Sequence, residues 1–193
     1  MVNSSSHICS RNNLDVVNIN TANKVNVKRF TQNGQIQIYQ SSYRGSYPSI
    51  IRDSLRNAAL GRKVLLIQFM KGGVKQGLDN AVKLCGNLTW IRSSHSFDQY
   101  NSEEIENNKN LKKSIHKSTI ELWNFCKKEL QSDENDQIIL DEIFLAIEMK
   151  IIDKDDLIST LENRFISGDV ILTGTDIPKD LLLMANQFTE LRS

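Results

Sequence analysis

The chain is poor in cysteine and contains no long apolar run. Cys9, Cys85 and Cys126 are its only cysteines, and no CxxC pair occurs. This odd number at wide spacing argues against a disulfide framework or a zinc knuckle. No apolar stretch approaches the ~20 residues of a membrane-spanning helix, and the N-terminus lacks the apolar segment of a signal peptide. We therefore expect a cytoplasmic protein with reduced thiols and no membrane partner.

The chain also lacks an excess of charge of either sign. It carries 24 Lys and Arg against 23 Asp and Glu, a formal net charge of +1. No general attraction to nucleic acid or to an anionic surface follows from that balance. Hydrophobic residues make up 39% and charged residues 24%, which is ordinary for a soluble globular protein. Small molecules or other proteins are the expected partners.

The first part of the chain differs in composition from the rest. Residues 1–34 contain few large apolar side chains, and the segment 16–19 supplies only a short apolar patch. We predict a flexible N-terminal extension over residues 1–34. Residues 35–193 are long enough to form one domain with its own core.

From residue 35 onward, apolar runs of strand length alternate with helical segments. This alternation predicts a mostly parallel α/β sheet with helices on both faces. Ligands bind at the carboxyl ends of strands in such sheets. We predict strands at 35–39, 64–69, 138–140, 169–173 and 188–191, and helices at 49–60, 103–130, 145–149, 154–163 and 178–185.

The loop between the first strand and the first helix has the position of a phosphate-binding loop but not its residues. Such a loop normally offers glycines, a Lys for the phosphates and a Ser or Thr for magnesium. Residues 40–48 read QSSYRGSYP, with Arg44 as their only cation. The helix that follows attracts anions through its dipole. A plain strand-to-helix turn remains the alternative interpretation.

Two other features carry candidate chemistry. The apolar run 138–140 leads directly into Asp141 and Glu142, as in a Walker B segment, where an acid at the sheet edge holds magnesium or its water. A solvated acid pair at a strand end is the alternative. Trp90 has core or edge packing as its default interpretation. The three histidines are scattered and indicate neither a metal site nor a catalytic triad.

Several segments in the same order resemble the P-loop-type ATP:corrinoid adenosyltransferase family. Residues 64–73, VLLIQFMKGG, are similar to the family pattern V-x-x-x-Q-F-x-K-G. Residues 88–90, LTW, resemble its F-T-W segment, and residues 138–143, IILDEI, resemble its V-L-D-E-(L/I) stretch. Residues 170–174, VILTG, followed by Asp176 and Pro178, resemble the V-V-L-T-G block. The resemblance extends over residues 35–192.

The resemblance implies a P-loop NTPase-like (RecA-like) fold and an activity. Members of the family bind ATP, Mg²⁺ and a corrinoid, and transfer the 5′-deoxyadenosyl group of ATP to Co(I) in cobalamin biosynthesis or salvage. Carried over, Trp90 and Leu88 would lie at the lower face of the corrinoid, with Leu88 in place of a Phe. Asp141 and Glu142 would hold Mg²⁺. A homodimer is a further implication.

The phosphate-binding loop departs from the family pattern T-G-x-G-K-G-K-T-T-A. Aligned without gaps, Ser46 replaces the phosphate-binding Lys and Tyr47 replaces the magnesium-binding Thr. Thr175 stands where the family has an Arg. The altered loop is similar to that of a divergent branch associated with cyanobacteria. The nucleotide-binding candidates are Ser41, Ser42, Arg44, Gly45, Ser46 and Tyr47.

Three hypotheses follow from this degenerate Walker A loop. In the first, the chain is an active transferase in which Arg44 substitutes for the lost Lys. In the second, it is a non-catalytic homologue that binds a corrinoid, a nucleotide or a protein partner. In the third, the fold is retained only as a structural or interaction module.

Overall fold

The computed structural model describes residues 8–10, 13–16, 28–30, 33–44, 47–72, 77–95, 107–165 and 167–191. The first three segments are strands β1 (Ile8–Ser10), β2 (Asn13–Val16) and β3 (Lys28–Phe30). They pair antiparallel in the order β1-β2-β3. These strands lie inside the segment predicted as a flexible extension, and the domain boundary near residue 34 stays a prediction.

A seven-stranded sheet forms the centre of the described structure, in the order β10-β4-β9-β8-β5-β7-β6. Every neighbouring pair is parallel except β6 and β7, which are antiparallel. The predicted mostly parallel α/β architecture is therefore confirmed. The strands are β4 (Ile36–Ser41), β5 (Val64–Gly72), β6 (Val82–Leu84), β7 (Leu88–Ser93), β8 (Gln137–Asp141), β9 (Asp169–Gly174) and β10 (Gln187–Leu191).

Helices connect the strands and cover both faces of the sheet. They are α1 (Pro48–Ala59), α2 (Lys109–Gln131), α3 (Ile143–Glu148), α4 (Lys154–Glu162) and α5 (Lys179–Met184). Pro48 occupies the first turn of α1, where its missing N–H costs no hydrogen bond. Asn108 and Asp153 cap α2 and α4 by accepting main-chain N–H groups with their side chains. Within the described ranges, no helix has the length and apolar character needed to cross a bilayer.

The side chains of each central strand alternate between the two faces of the sheet and pack into two separate cores. On one face, Leu65 and Ile67 of β5 pack with apolar residues of α2 to α5, including Trp123 and Phe144. We call the opposite layer the α1-side core. It consists of Tyr47, Ile50, Ala58, Val64, Leu66, Leu88, Ile139 and Ile171.

The hairpin of β6 and β7 was not predicted as a pair of strands. Its turn places Cys85 and Gly86 at positive φ, 50° and 75°. β6 is short and largely exposed, so it carries little of the apolar signal by which a strand is recognised. Cys85 is a free, exposed thiol, and Cys126 of α2 is a free, buried one.

Candidate functional site

Four adjacent strands each place one polar side chain at the same level near their carboxyl ends. The residues are Arg92 of β7, Gln68 of β5, Asp141 of β8 and Thr173 of β9, and we call them the polar row. Gln68 is the register partner of both Arg92 and Asp141. Two residues earlier on these strands, Trp90, Leu66, Ile139 and Ile171 belong to the α1-side core or pack against it. Period-two alternation therefore directs the polar row to the same face as that core.

Hydrogen bonds join the polar row into one unit. Arg92 Nε donates to Gln68 Oε1 at 2.8 Å, and Gln68 Nε2 donates to Asp141 Oδ2 at 2.6 Å. Thr173 Oγ1 donates to the other oxygen, Asp141 Oδ1, at 2.8 Å. Gln68, Asp141 and Thr173 are all buried. Because a buried polar group without a partner is costly, this chain of bonds holds each side chain in a single orientation.

Trp90 is attached to the polar row through its indole nitrogen. Trp90 Nε1 donates to Gln68 Oε1 at 2.9 Å, so one amide oxygen accepts from Trp90 and Arg92 together. The guanidinium carbon of Arg92 lies 4.4 Å from the centroid of the Trp90 ring, a cation–π contact. Leu88, two residues before Trp90 on β7, is only 1% exposed and belongs to the α1-side core.

A bulge near the end of β5 brings a cation to the acids. The β5–β7 register shifts between Gln68 and Gly72. Lys71, within the shift, places Nζ 3.2 Å from Asp141 Oδ2 and 3.6 Å from Glu142 Oε1. A Cβ at Gly72 would lie 2.3 Å from the carbonyl oxygen of Ser93, so a side chain there would collide with β7. The glycine thus permits the close approach of the two strands beside the site.

Glu142 forms the contact between the acidic pair and the loop that precedes α1. It has a left-handed backbone (φ 59°, ψ 29°) at the start of α3, and its N–H donates to Thr173 Oγ1 at 2.9 Å. Arg44 Nη2 lies 2.6 Å from Glu142 Oε2. The side chain of Glu142 is only 3% exposed. A hydrogen-bonded partner of opposite charge reduces the cost of burying this carboxylate.

Tyr47, at the start of α1, fills the space between the loop and β9. Its residue is 2% exposed, and its hydroxyl donates to the carbonyl oxygen of Gly174 at 2.6 Å. Burial, followed by the nearby Asp141 carboxylate, raises the pKa of Tyr47 to about 12. The phenol therefore stays protonated near neutral pH. Its ring belongs to the α1-side core.

The structure brings several predicted site residues together and leaves others apart. Arg44, Tyr47, Asp141 and Glu142 converge at the carboxyl ends of β8 and β9. Ser41 is buried at the end of β4 and accepts a weak 3.4 Å bond from the N–H of Tyr43. The remaining loop candidates are Ser42, which is exposed, and Gly45 and Ser46, which lie outside the described residues.

Site residues missed by the sequence reasoning share one signal. Gln68 was quoted only as part of a family pattern, Lys71 and Thr173 were expected at the ligand-binding edge of the sheet without an individual role, and Arg92 was not considered. Each polar-row residue follows an apolar or aromatic residue two positions earlier on its own strand. This same-face change from apolar to polar at a strand end was the available sequence signal.

The acids fit Mg²⁺ poorly in this conformation. Magnesium sites commonly combine one or two carboxylates with phosphate oxygens and water. Both Asp141 oxygens accept hydrogen bonds, and Lys71 and Arg44 already lie beside the two carboxylates. Among the described residues, no group of three or more His, Cys, Asp or Glu side chains could hold a metal ion. A metal would have to displace these cations.

Comparisons with known proteins identify the family of the chain. The chain is 24% identical to a corrinoid adenosyltransferase of Escherichia coli (strain K12), over 83% of this chain and 78% of that protein. It is 22% identical to corrinoid adenosyltransferase CobA of Salmonella typhimurium (strain LT2), with the same coverage. A protein of Nostoc sp. (strain PCC 7120) is 24% identical over 91% of this chain and 47% of its own length. A model of the ATP:corrinoid adenosyltransferase BtuR/CobO/CobP family matches residues 32–193, and the chain belongs to that family.

Proposed function

We propose that this protein is an ATP:corrinoid adenosyltransferase acting in cobalamin biosynthesis or salvage in the cytoplasm. In the proposed reaction, Co(I) of a corrinoid attacks the 5′ carbon of ATP. A cobalt–carbon bond forms with two electrons from cobalt, which becomes Co(III). The bond between C5′ and the triphosphate oxygen breaks, and its electron pair leaves with triphosphate. A separate reductant must supply Co(I).

The observation that supports this proposal most strongly is the joining of the family's motifs at one place. Gln68 and Lys71 come from the Q-F-x-K-G pattern, Trp90 from the F-T-W segment, and Asp141 and Glu142 from the D-E pair. Hydrogen bonds and ion pairs connect all five. A fold kept only as a structural module has no need to keep these polar side chains bonded together at the end of its strands.

Each residue has a proposed task that its surroundings allow. Trp90 presents a half-buried aromatic side chain for the lower face of the corrinoid, held by Gln68. Leu88, being buried, would support Trp90 from within the α1-side core. When ATP binds, Arg44 would leave Glu142 and contact the triphosphate instead. Both contacts are charge-assisted hydrogen bonds. The main catalytic effect would be to hold the two reactants in line.

The test is an anaerobic assay with ATP and a chemically reduced Co(I) corrinoid. An active enzyme produces a light-sensitive adenosylcorrinoid, followed by its visible spectrum. Binding is checked separately, because a ligand that binds only the native state raises its melting temperature. At 100 times Kd the gain is about 2.7 kcal/mol, roughly 5–10 °C for a chain of this size. No shift and no product with millimolar ATP would reject the transferase.

Tyr47 favours a second candidate, a non-catalytic homologue that binds a corrinoid without using ATP. In the proposed alignment of the loop, Tyr47 takes the position of the family's magnesium-binding Thr, and its ring is buried and bonded to Gly174. Arg44 and Lys71 already neutralise the acids. Under this candidate, adding a corrinoid raises the melting temperature of the protein and changes the visible spectrum of the corrinoid. Adding ATP with Mg²⁺ leaves the melting temperature unchanged. Stabilisation by ATP would reject the second candidate.

A further inference from the structure

The cations around the site differ in what they contact. Arg44 pairs with Glu142, and Lys71 lies against both Asp141 and Glu142. These two cations are therefore engaged by carboxylates of the same chain. Arg92 contacts a neutral amide oxygen and an aromatic ring. Among the described residues, it forms no ion pair with an Asp or Glu.

Arg92 is also held in a defined position. Its Nε is fixed by the 2.8 Å bond to Gln68, and its planar head lies over the indole of Trp90. Gln68 is fixed in turn by Asp141 on the next strand. Arg92 is only partly buried. Its two terminal NH₂ groups take no part in these contacts and remain as donors in the described structure.

We propose that Arg92 is an anion-binding residue of this site, which takes a carboxylate or phosphate group of the ligand on its terminal NH₂ groups. This inference rests on the proposed function, because it assigns a ligand contact within the same site. A guanidinium group matches the paired oxygens of a carboxylate or phosphate, and a head fixed in advance loses little entropy on binding. The stacked pair of Trp90 and Arg92 thus offers one flat, cationic surface.

The two sources of such an anion are the triphosphate of ATP and the free carboxylates at the edge of a corrinoid. In the proposed alignment, Ser46 and Thr175 stand where the family has a Lys and an Arg, so Arg92 would supply a cation to an anionic ligand in their place. Arg92 lies at the end of β7, one strand from Gln68 and two from Asp141 in the sheet order. Its charge therefore adds to that of Arg44 and Lys71 along the same edge.

The experiment compares wild type with Arg92→Gln and Arg92→Lys by calorimetric titration of the full chain. The probes are ATP, inorganic triphosphate, cob(II)yrinic acid a,c-diamide with free carboxylates, and cob(II)inamide with amides in their place. Gln removes the charge, whereas Lys keeps the charge but loses the paired donors. Arg56→Gln is the matched control, because Arg56 is exposed near the end of α1. Melting curves of all variants show that each is folded.

We expect Arg92→Gln to weaken one anionic probe by about 10- to 100-fold, as for loss of a charge-assisted contact. Arg92→Lys should lose less, and Arg56→Gln should match wild type. Loss for ATP and triphosphate identifies phosphate as the anion, and loss for the diamide but not cob(II)inamide identifies carboxylate. Equal binding by wild type and Arg92→Gln, or an equal loss for charged and amidated corrinoids, overturns the assignment. If wild type binds none of the probes, the proposed function fails as well.

Discussion

The hydroxyl group of Tyr47 donates a 2.6 Å hydrogen bond to the main-chain carbonyl of Gly174, which joins the start of α1 to the end of β9. The loop before α1 and the last residue of β9 both face the proposed nucleotide site. A single phenol therefore connects these two elements, which flank the triphosphate under the proposed function.

The stability of the protein should fall at alkaline pH because of Tyr47. Burial, then the Asp141 carboxylate, raises its pKa from 10.0 to about 12 in the folded state. Its contribution is complete below pH 10 and is lost as the pH rises toward 12. Urea unfolding, monitored by circular dichroism between pH 10 and 12, should show that the free energy of unfolding falls more steeply with pH in wild type than in Tyr47→Phe. Tyr43→Phe, a change at an exposed residue, should retain the wild-type slope.

Replacing Tyr47 by Thr should open the site while weakening the fold. Loss of a buried aromatic ring should lower the free energy of unfolding by about 2–4 kcal/mol. If the ring is what excludes ATP, the same change should improve ATP binding, measured by calorimetry with and without Mg²⁺. A destabilised variant with no gain in ATP affinity would show that the ring is not the obstacle.

Arg44 and Glu142 should be energetically coupled. A double-mutant cycle with Arg44→Gln and Glu142→Gln should give a coupling energy of about 1–3 kcal/mol, because the carboxylate is buried and the bond is charge-assisted. Arg52 and Asp53 provide the control, since their 3.5 Å pair is largely exposed. That control cycle should give at most about 1 kcal/mol. Equal values for the two pairs would show that the Arg44 contact does not hold the loop.

Gln68→Leu should release Trp90 and Arg92 together. It leaves Trp90 Nε1, Arg92 Nε and Asp141 without the amide that joins them. We expect a loss of about 2–3 kcal/mol and a shifted indole N–H resonance of Trp90 in an NMR spectrum. Gln37→Leu serves as the control, because the hydrogen bonds of the Gln37 side chain to described residues are long, at 3.4–3.5 Å. An unchanged Trp90 resonance in Gln68→Leu would contradict the network.

Gly72→Ala should disturb the site through the backbone. The added Cβ would lie 2.3 Å from the main-chain carbonyl oxygen of Ser93. This clash can be relieved only if β5 and β7 move apart. We expect a loss of at least about 1–3 kcal/mol together with weaker ligand binding, since Lys71 must move. Gly86→Ala meets open space but has a φ of 75°, so about 1 kcal/mol is expected there. Equal ligand affinities in both variants would argue against a role for the bulge.

Much of the fold was accessible from local patterns. β5 and β8 are continuous apolar runs because both of their faces are buried, and that pattern is local in the sequence. α1 begins at Pro48 and is followed by Gly61 at positive φ, both of which are sequence signals. β6 was not predicted because it is a three-residue edge strand with mostly exposed residues, and β7 was not predicted because its buried residues do not alternate regularly along the strand.

The sequence alone determined the family and the alternation of strands and helices, since these depend on residue type and spacing. Only the tertiary structure decided that Tyr47 is buried against Gly174 and that Gln68 links Trp90 to Asp141. Such contacts join residues 22 to 127 positions apart. They arise from strand register and burial, which become defined only when the sheet is assembled.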